Sequence, residues 1–197
     1  LNKLGGRIKV VGRTIFIFGF KKIIKRIIHE VIFDRIELGT YMIAAALVGK
    51  RIIVNKIESK VIKNEIDVLK KMGVNLKVKK KSIEVLKSTK IKKVNISTKP
   101  YPGFPTDLQA QLMVLMTRAD GKSKITESIF ENRFMHVPEL KRMGANIEVQ
   151  GGIAKVVGVK KLKGAPVMAT DLRASVSLIL AGLASTGETV ISRVYHL

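Results

Sequence analysis

Apolar residues recur along this chain at helical spacing, in blocks punctuated by Gly and Pro. The clearest block follows a turn. Pro102, Gly103 and Pro105 crowd five residues, and X-Pro steps push the preceding residue out of the helical region. Thr106 then reads as an N-cap, with Gln109 three residues on, and Leu108, Leu112, Leu115 and Met116 fall on one helical face. Asp107 is thereby displayed where a turn feeds a helix. An isolated polar run, Glu131, Asn132 and Arg133, follows with His136 close behind. Pro138 marks a further helix start and Gly144 its stop. Charged residues at such element ends are commonly site residues held by a rigid scaffold.

The pattern repeats. Residues 4–23, LGGRIKVVGRTIFIFGFKKI, align without a gap on residues 143–162, MGANIEVQGGIAKVVGVKKL. Gly5 meets Gly144, Ile8 meets Ile147, Val10 meets Val149, Gly19 meets Gly158, and Lys21 and Lys22 meet Lys160 and Lys161. Each copy predicts a helix-ending glycine, a strand, a tight turn and a second strand, with Gly151-Gly152 the clearer turn. A second unit opens at Asp34 and again at Asp107 and Asp171: an Asp, a helix of roughly three turns, a Gly-containing loop and a β-branched strand. Two of these units continue alike, with helices over 64–72 and 138–143 that end at Gly73 and Gly144. The following strands, KKMGVNLKV and KRMGANIEV, match closely, although the first has three lysines and a serine where the second has Gly-Gly.

The predicted repeat is therefore β-α-β-α-β-β, recurring about every 70 residues by the spacing of the three aspartates. The chain reads as the tail of one repeat, two whole repeats and the head of another, with residues 24–33 as the join. A repeat unit cannot bury its apolar face without neighbours, so the expectation is a piece of a longer protein.

Composition changes this picture little. In 197 residues, 37 basic against 15 acidic side chains give a formal charge of +22, which invites a nucleic-acid reading. The lysines are scattered beside many isoleucines, however, and aromatics are only 5%. A Lys- and Ile-rich compositional bias explains that better, and no nucleic-acid partner is expected; a basic surface also suits small anionic substrates. Cysteine is absent, which removes a disulfide frame and Cys-based metal sites. The apolar runs 41–48 and 176–184 are too short to span a bilayer, so no membrane partner is expected. Neither a cofactor nor a metal is expected, since His136 and His196 have no third ligand at suitable spacing.

The motifs DRIELGT (34–40), FPTDLQAQ (104–111), ITESIFENRFMHVPELKRMGA (125–145), VMATDLRAS (167–175) and the closing VYHL resemble the UDP-N-acetylglucosamine 1-carboxyvinyltransferases. These are the enolpyruvyl transferases that open peptidoglycan precursor synthesis. The resemblance covers essentially the whole chain. It implies an α/β (α+β) enolpyruvyl transferase fold of β-α-β-α-β-β repeats, helices inside and sheets outside, in two domains with the active site between them. Residues 1–30 would be the closing strands of the first domain and the hinge, and 31–197 the second domain with an incomplete third repeat. The implied reaction moves the enolpyruvyl group of phosphoenolpyruvate to the 3-hydroxyl of UDP-N-acetylglucosamine through a tetrahedral ketal, releasing phosphate, in the bacterial cytoplasm. Cell-wall biogenesis, cell shape and cell division depend on that step. The family's lysine-asparagine pair and its mobile loop with a cysteine or aspartate belong to the other, N-terminal half, which is the expected partner. An arginine that follows the Tyr-His-Leu/Ile motif in the family also lies past Leu197. This chain alone is therefore expected to be inactive.

Residue by residue, Asp107 matches the aspartate that contacts the sugar hydroxyl and takes its proton as general base; the residues alone favour a plain helix cap. Arg133 and Arg173 match arginines that bind phosphoenolpyruvate, where a guanidinium fork suits carboxylate and phosphate; the alternative is a surface ion pair. Asp171 matches an active-site aspartate near the reacting carbon, or else a group that holds an arginine. Ile129 matches a position that packs on the nucleotide sugar, or else is an apolar strand residue. Glu131 and Asn132 are expected to order the loop that carries Arg133. Two other classes remain: a non-catalytic repeat scaffold, and a basic nucleic-acid binder marked by steep salt dependence.

Overall fold

The computed structural model describes residues 1–19 and 26–195. Lys21, Lys22 and His196, singled out above, lie outside the described residues. The chain divides into two compact units, Leu1–Ile32 and Phe33–Leu197.

In the first unit a single 3-10 turn, Asn2–Leu4, leads to strands β1 (Ile8–Val11) and β2 (Thr14–Ile17). They pair antiparallel with Ile8 opposite Ile17, and Gly12 takes φ +57° in the connecting turn. The hairpin anticipated for this stretch is therefore present.

The second unit opens with α1 (Arg35–Val48), β3 (Arg51–Asn55), α2 (Lys63–Lys71), β4 (Asn75–Lys79) and β5 (Ser82–Leu86). Next come β6 (Ile91–Lys92), β7 (Asn95–Ser97), a 3-10 turn at Thr106–Leu108, α3 (Gln109–Met116), β8 (Ala119–Asp120), β9 (Lys122–Thr126), α4 (Val137–Arg142), β10 (Asn146–Gln150) and β11 (Ile153–Val157). The chain then runs through β12 (Leu162–Lys163), β13 (Pro166–Met168), α5 (Leu172–Leu183), β14 (Ser185–Thr186) and β15 (Val190–Ser192).

Pairing follows the repeat. Strands β3, β5 and β4 form an antiparallel sheet in that order, and β10, β11, β9 and β7 form a mixed one. The strand ahead of each later helix pairs in parallel with the strand after it: β6 with β8, β7 with β9, β12 with β14 and β13 with β15. Parallel partners need a crossover, and α3 and α5 are those crossovers. The Gly151-Gly152 turn closes β10 on β11 with Gln150 opposite Ile153. Lys80-Lys81 does the same for β4 and β5 without a left-handed residue.

The helices lie inside. Helices α1 and α5 both pack on α3, which also meets β9 and β11, while α1 meets β3 and β5. All eight residues of α3 are buried, Gln109 and Gln111 included. This corrects the expectation of a one-faced helix: with neighbours on every side it has no solvent face, as a helix that is apolar all round requires. Gln111 donates through Nε2 to the Thr40 hydroxyl on α1 at 3.3 Å, which in turn donates to the Ile36 carbonyl. At Gly39 in α1 a Cβ would stand 2.3 Å from Leu108 Cδ1, so a side chain there would push on the turn that carries Asp107. No helix of the described residues is long and apolar enough to cross a membrane.

Candidate active site

The predicted site residues of the second unit arise from three neighbouring pieces of chain. The first is the turn before α3. Tyr101-Pro102 is a cis peptide, and the chain leaves Pro105 in an extended conformation, φ −73° and ψ 138°, as the N-cap of the 3-10 turn. Thr106 is therefore not the cap. It is the first residue of the turn, and its hydroxyl donates to Glu127 Oε2 at 2.8 Å. Asp107 comes second in that turn and caps nothing. Its Oδ1 accepts from Arg133 Nη2 at 2.7 Å and from Arg173 Nε at 2.9 Å. Its Oδ2 has no hydrogen-bond partner among the described residues, and the side chain is 32% exposed. The cap alternative for Asp107 is thus excluded.

The second piece is the loop between β9 and α4. Ile129 lies in this loop and not in a strand, exposed, and its N–H is already donated to Glu127 Oε1 at 2.9 Å. Phe130 donates its N–H to the same oxygen at 3.3 Å. The Phe130 ring faces the Arg133 guanidinium at 4.8 Å, a cation-π contact. Asn132 takes φ +54°, a conformation that asparagine tolerates better than most residues. Neither Glu131 nor Asn132 makes a side-chain hydrogen bond among the described residues. The expectation that they order the loop is corrected: Glu127 anchors it, and Asn132 contributes a backbone bend. Sequence reasoning passed over Glu127. The available signal was a carboxylate directly after an apolar-alternating strand, where a charge is seldom buried without partners.

The third piece is the start of α5. Asp171 is its N-cap, with Oδ1 accepting from the N–H groups of Arg173 at 2.7 Å and Ala174 at 3.0 Å. Asp171 does not grip an arginine side chain. It fixes the backbone of Arg173, whose side chain reaches Asp107. Asp34 caps α1 in the same way, accepting from Ile36 at 2.7 Å and Glu37 at 3.2 Å.

His136 lies beneath these pieces at 2% exposure, immediately before α4. Burial pushes its pKa down to about 4; the Arg133 charge adds to this and Asp171 opposes it. The imidazole is neutral at physiological pH, and its Nε2 has no hydrogen-bond partner among the described residues. Among the described residues no group of three or more His, Cys, Asp or Glu is arranged to hold a metal.

The assembled site is one carboxylate held by two guanidinium groups, with a free carboxylate oxygen beside them. Arginine forks bind carboxylate and phosphate, and a carboxylate oxygen can accept a proton from a hydroxyl within hydrogen-bond reach.

The model of the EPSP synthase (3-phosphoshikimate 1-carboxyvinyltransferase) family matches residues 1–197. The UDP-N-acetylglucosamine 1-carboxyvinyltransferase of Azorhizobium caulinodans is 54% identical over 199 residues, covering 100% of this chain and 46% of that protein. That of Pelagibacter ubique is 52% identical, with 100% and 47% covered. This chain thus spans about half the length of the curated relatives it matches. Among solved structures, the enolpyruvyl transferase NikO from Streptomyces tendae superposes with a TM-score of 0.89 at 29% identity, over 100% of this chain and 47% of NikO. EPSP synthase from Acinetobacter baumannii gives 0.73 at 20% identity, over 100% and 49%, a likeness of fold. With β-α-β-α-β-β repeats, buried helices and a family match along its whole length, the chain belongs to the EPSP synthase family of enolpyruvyl (carboxyvinyl) transferases.

Proposed function

We propose that this chain supplies one half of an enzyme that transfers the enolpyruvyl group of phosphoenolpyruvate to the 3-hydroxyl of UDP-N-acetylglucosamine. The observation that carries this reading is the Asp107 carboxylate, with Oδ1 held by Arg133 and Arg173 and Oδ2 open. The names of the curated relatives supply the substrates. The other half, by the resemblance, brings the lysine-asparagine pair and the loop cysteine or aspartate. Residues 1–30 are then the closing strands of the first domain and the hinge, and 31–197 belong to the second domain.

In this mechanism Asp107 Oδ2 takes the proton of the sugar hydroxyl as its oxygen bonds to C2 of phosphoenolpyruvate, and C3 gains a proton from an acid supplied by the other half of the enzyme. The resulting ketal then returns a proton from C3 to the conjugate base of that acid and expels phosphate, leaving the enolpyruvyl ether. Arg133 and Arg173 bind the phosphate and carboxylate of phosphoenolpyruvate; to do so they share or exchange their grip on Oδ1. Asp171 fixes the start of α5, from which Arg173 projects, and Ile129 packs on the nucleotide sugar. On this reading the enzyme works in the bacterial cytoplasm at the first committed step of peptidoglycan synthesis, and cell shape and division depend on it.

The test is a chimera in which this chain replaces the matching 46% of the Azorhizobium caulinodans relative. The expected result is phosphate release from phosphoenolpyruvate only when UDP-N-acetylglucosamine is present. Arg133→Ala and Arg173→Ala should each raise the KM for phosphoenolpyruvate by about 10- to 100-fold, the worth of a charge-assisted hydrogen bond, and lysine should restore only part. A folded chimera without phosphate release, or variants that lose only nucleotide-sugar binding, would overturn the proposal.

A further inference from the structure

Glu127 follows strand β9 directly, and only 7% of it is exposed. Its carboxylate gathers four donors from three stretches of chain. Oε1 accepts from the Thr98 hydroxyl at 2.7 Å and from the N–H groups of Ile129 and Phe130. Oε2 accepts from the Thr106 hydroxyl at 2.8 Å. All four donors are neutral, and no cation pairs with Glu127 among the described residues.

The surroundings brace this carboxylate from both sides. Thr98, just past β7, accepts the Ser128 N–H on its hydroxyl at 2.9 Å and the Ser128 hydroxyl on its carbonyl. The Glu127 N–H donates to the Gly152 carbonyl in the β10–β11 turn at 2.8 Å. Glu127 is therefore fixed to the sheet through its backbone and reaches outward through its side chain to two turns. One turn holds Thr106 and, next to it, Asp107. The other holds Phe130, on whose ring Arg133 rests. Asp107 and Arg133 meet at 2.7 Å, yet they come from loops with no strand hydrogen bond between them.

We infer that Glu127 is a positioning residue: it ties the turn that carries Asp107 to the turn that seats Arg133, and so sets the register of the base against the anion-binding arginine. Its consequence for catalysis rests on the function proposed above; its consequence for the Asp107–Arg133 contact does not. A site geometry is only as definite as the groups that lock it, and a misplacement on the order of 1 Å can cost about 100-fold in rate. Thr106 is the part of this arrangement that bridges the two turns. Thr106→Val deletes that single bond with little change of shape.

The experiment has two arms. In the first, Asp107→Ala, Arg133→Ala and their double variant are made in the chain as it stands, and again with Thr106→Val. Urea unfolding then gives the coupling between the two residues. Thr106→Val is expected to reduce that coupling, expressed as an equilibrium-constant ratio, at least threefold, on the order of the interaction energies such cycles resolve. Glu127→Ala should abolish most of it. Glu127→Gln should recover most, because its carbonyl can take the donors at Oε1 and its NH₂ can donate to the Thr106 hydroxyl, which can accept. Coupling unchanged by both Thr106→Val and Glu127→Ala would overturn the inference.

The second arm uses the chimera. Thr106→Val should lower kcat/KM for phosphoenolpyruvate about tenfold with the unfolding midpoint nearly unmoved. A purely structural role predicts the reverse, a lower midpoint and normal kinetics in the folded fraction. A wild-type chimera without turnover would sink the functional proposal and leave the coupling cycle to decide the positioning role.

Discussion

Asp34, Asp107 and Asp171 occupy the same place in three successive repeats, and the structure uses them in two different ways. At Asp34 and Asp171 the carboxylate turns back onto its own helix and accepts two N–H groups, at 2.7 and 3.2 Å and at 2.7 and 3.0 Å. At Asp107 the carboxylate turns away from α3 and accepts from two arginines that begin 26 and 66 residues further along the chain. The cause is local. Both caps are extended residues that precede the first helical turn, whereas in the middle repeat Pro105 takes the extended position and the helical backbone begins at Thr106. Asp107 is thereby carried inside the first turn, where its side chain no longer meets the free N–H groups it would otherwise cap. Each repeat carries an acidic residue at its helix start. In the middle repeat the earlier start leaves that residue free to meet the two arginines.

The strongest way to break this comparison is to remove the charge at each position and keep the shape. In the chimeric enzyme Asp107→Asn should lower turnover by about 10²–10⁴, the range for positioned acid-base catalysis. Asp34→Asn should lose far less, because asparagine caps about as well as aspartate. Steady-state phosphate release measures both. Near wild-type turnover of Asp107→Asn would show that the contrast between the aspartates has no catalytic content.

Much of this was legible in the sequence. Gly144 takes φ +86° where the helix was expected to stop, with α4 ending at Arg142, and Gly151-Gly152 makes the anticipated hairpin. Such features are local: glycine and proline act through their own backbone, so the residue itself carries the signal. Helix limits shifted by a single residue at α2 and α4 for the ordinary reason that ends fray. The meeting of Asp107, Arg133 and Arg173 is different, since it depends on how two successive repeats pack; their places at element ends marked Asp107 and Arg133 as candidates, but only the family resemblance pointed to Arg173 and to a shared role. The full burial of α3 was readable in part, because Ala110, Met113 and Val114 leave it only Gln109 and Gln111 as polar residues. Glu127 carried only a weak signal, its place directly after a strand, because its partners are backbone N–H groups and hydroxyls, which no charge pattern reveals.

His136 sharpens the comparison from below, since it feels both the cap Asp171 and the candidate site residue Arg133. Its folded pKa of about 4 lies under the ordinary histidine value of 6.5, mainly through burial. The unfolded chain therefore binds a proton first as pH falls, and stability is lost between about pH 6.5 and 4. The full shift corresponds to about 3 kcal/mol. Glu65 acts in the opposite sense: burial raises its pKa above 4.5, so its cost to stability is relieved as pH falls through the folded pKa toward 4.5. Urea unfolding of the wild type and of His136→Gln across this range separates the two. The difference between them should be flat above pH 6.5 and should shrink below it, as the wild type alone loses the His136 contribution. A constant difference down to pH 4 would mean that the imidazole is not held neutral.

The smallest expected effect bears most directly on the difference between cap and site. An N-cap works through any short side-chain oxygen, so aspartate, asparagine and serine are nearly equivalent, while alanine costs about 1 kcal/mol. At Asp34 the substitutions to Asn and Ser should leave the unfolding free energy within a few tenths of a kcal/mol of wild type, and Ala should lower it by about 1 kcal/mol. Asp107 should show no such ranking. Its partners are guanidinium groups, which respond to charge and not to the presence of a hydroxyl or amide oxygen at helix-cap distance. Serine there is too short to reach them, and asparagine brings no charge, so Asn, Ser and Ala should cluster together in stability. The cluster should also move with ionic strength, because the Asp107 pairs are partly exposed, at 32% for Asp107, 23% for Arg133 and 39% for Arg173, and salt screens such pairs. The Asp34 series should hardly respond to salt beyond the weak helix-dipole contribution. Urea titrations of the six variants at low and high salt give the whole pattern. If serine at position 107 restored stability as serine at position 34 does, Asp107 would be acting as a cap in solution, and the division of roles among the three aspartates would be lost.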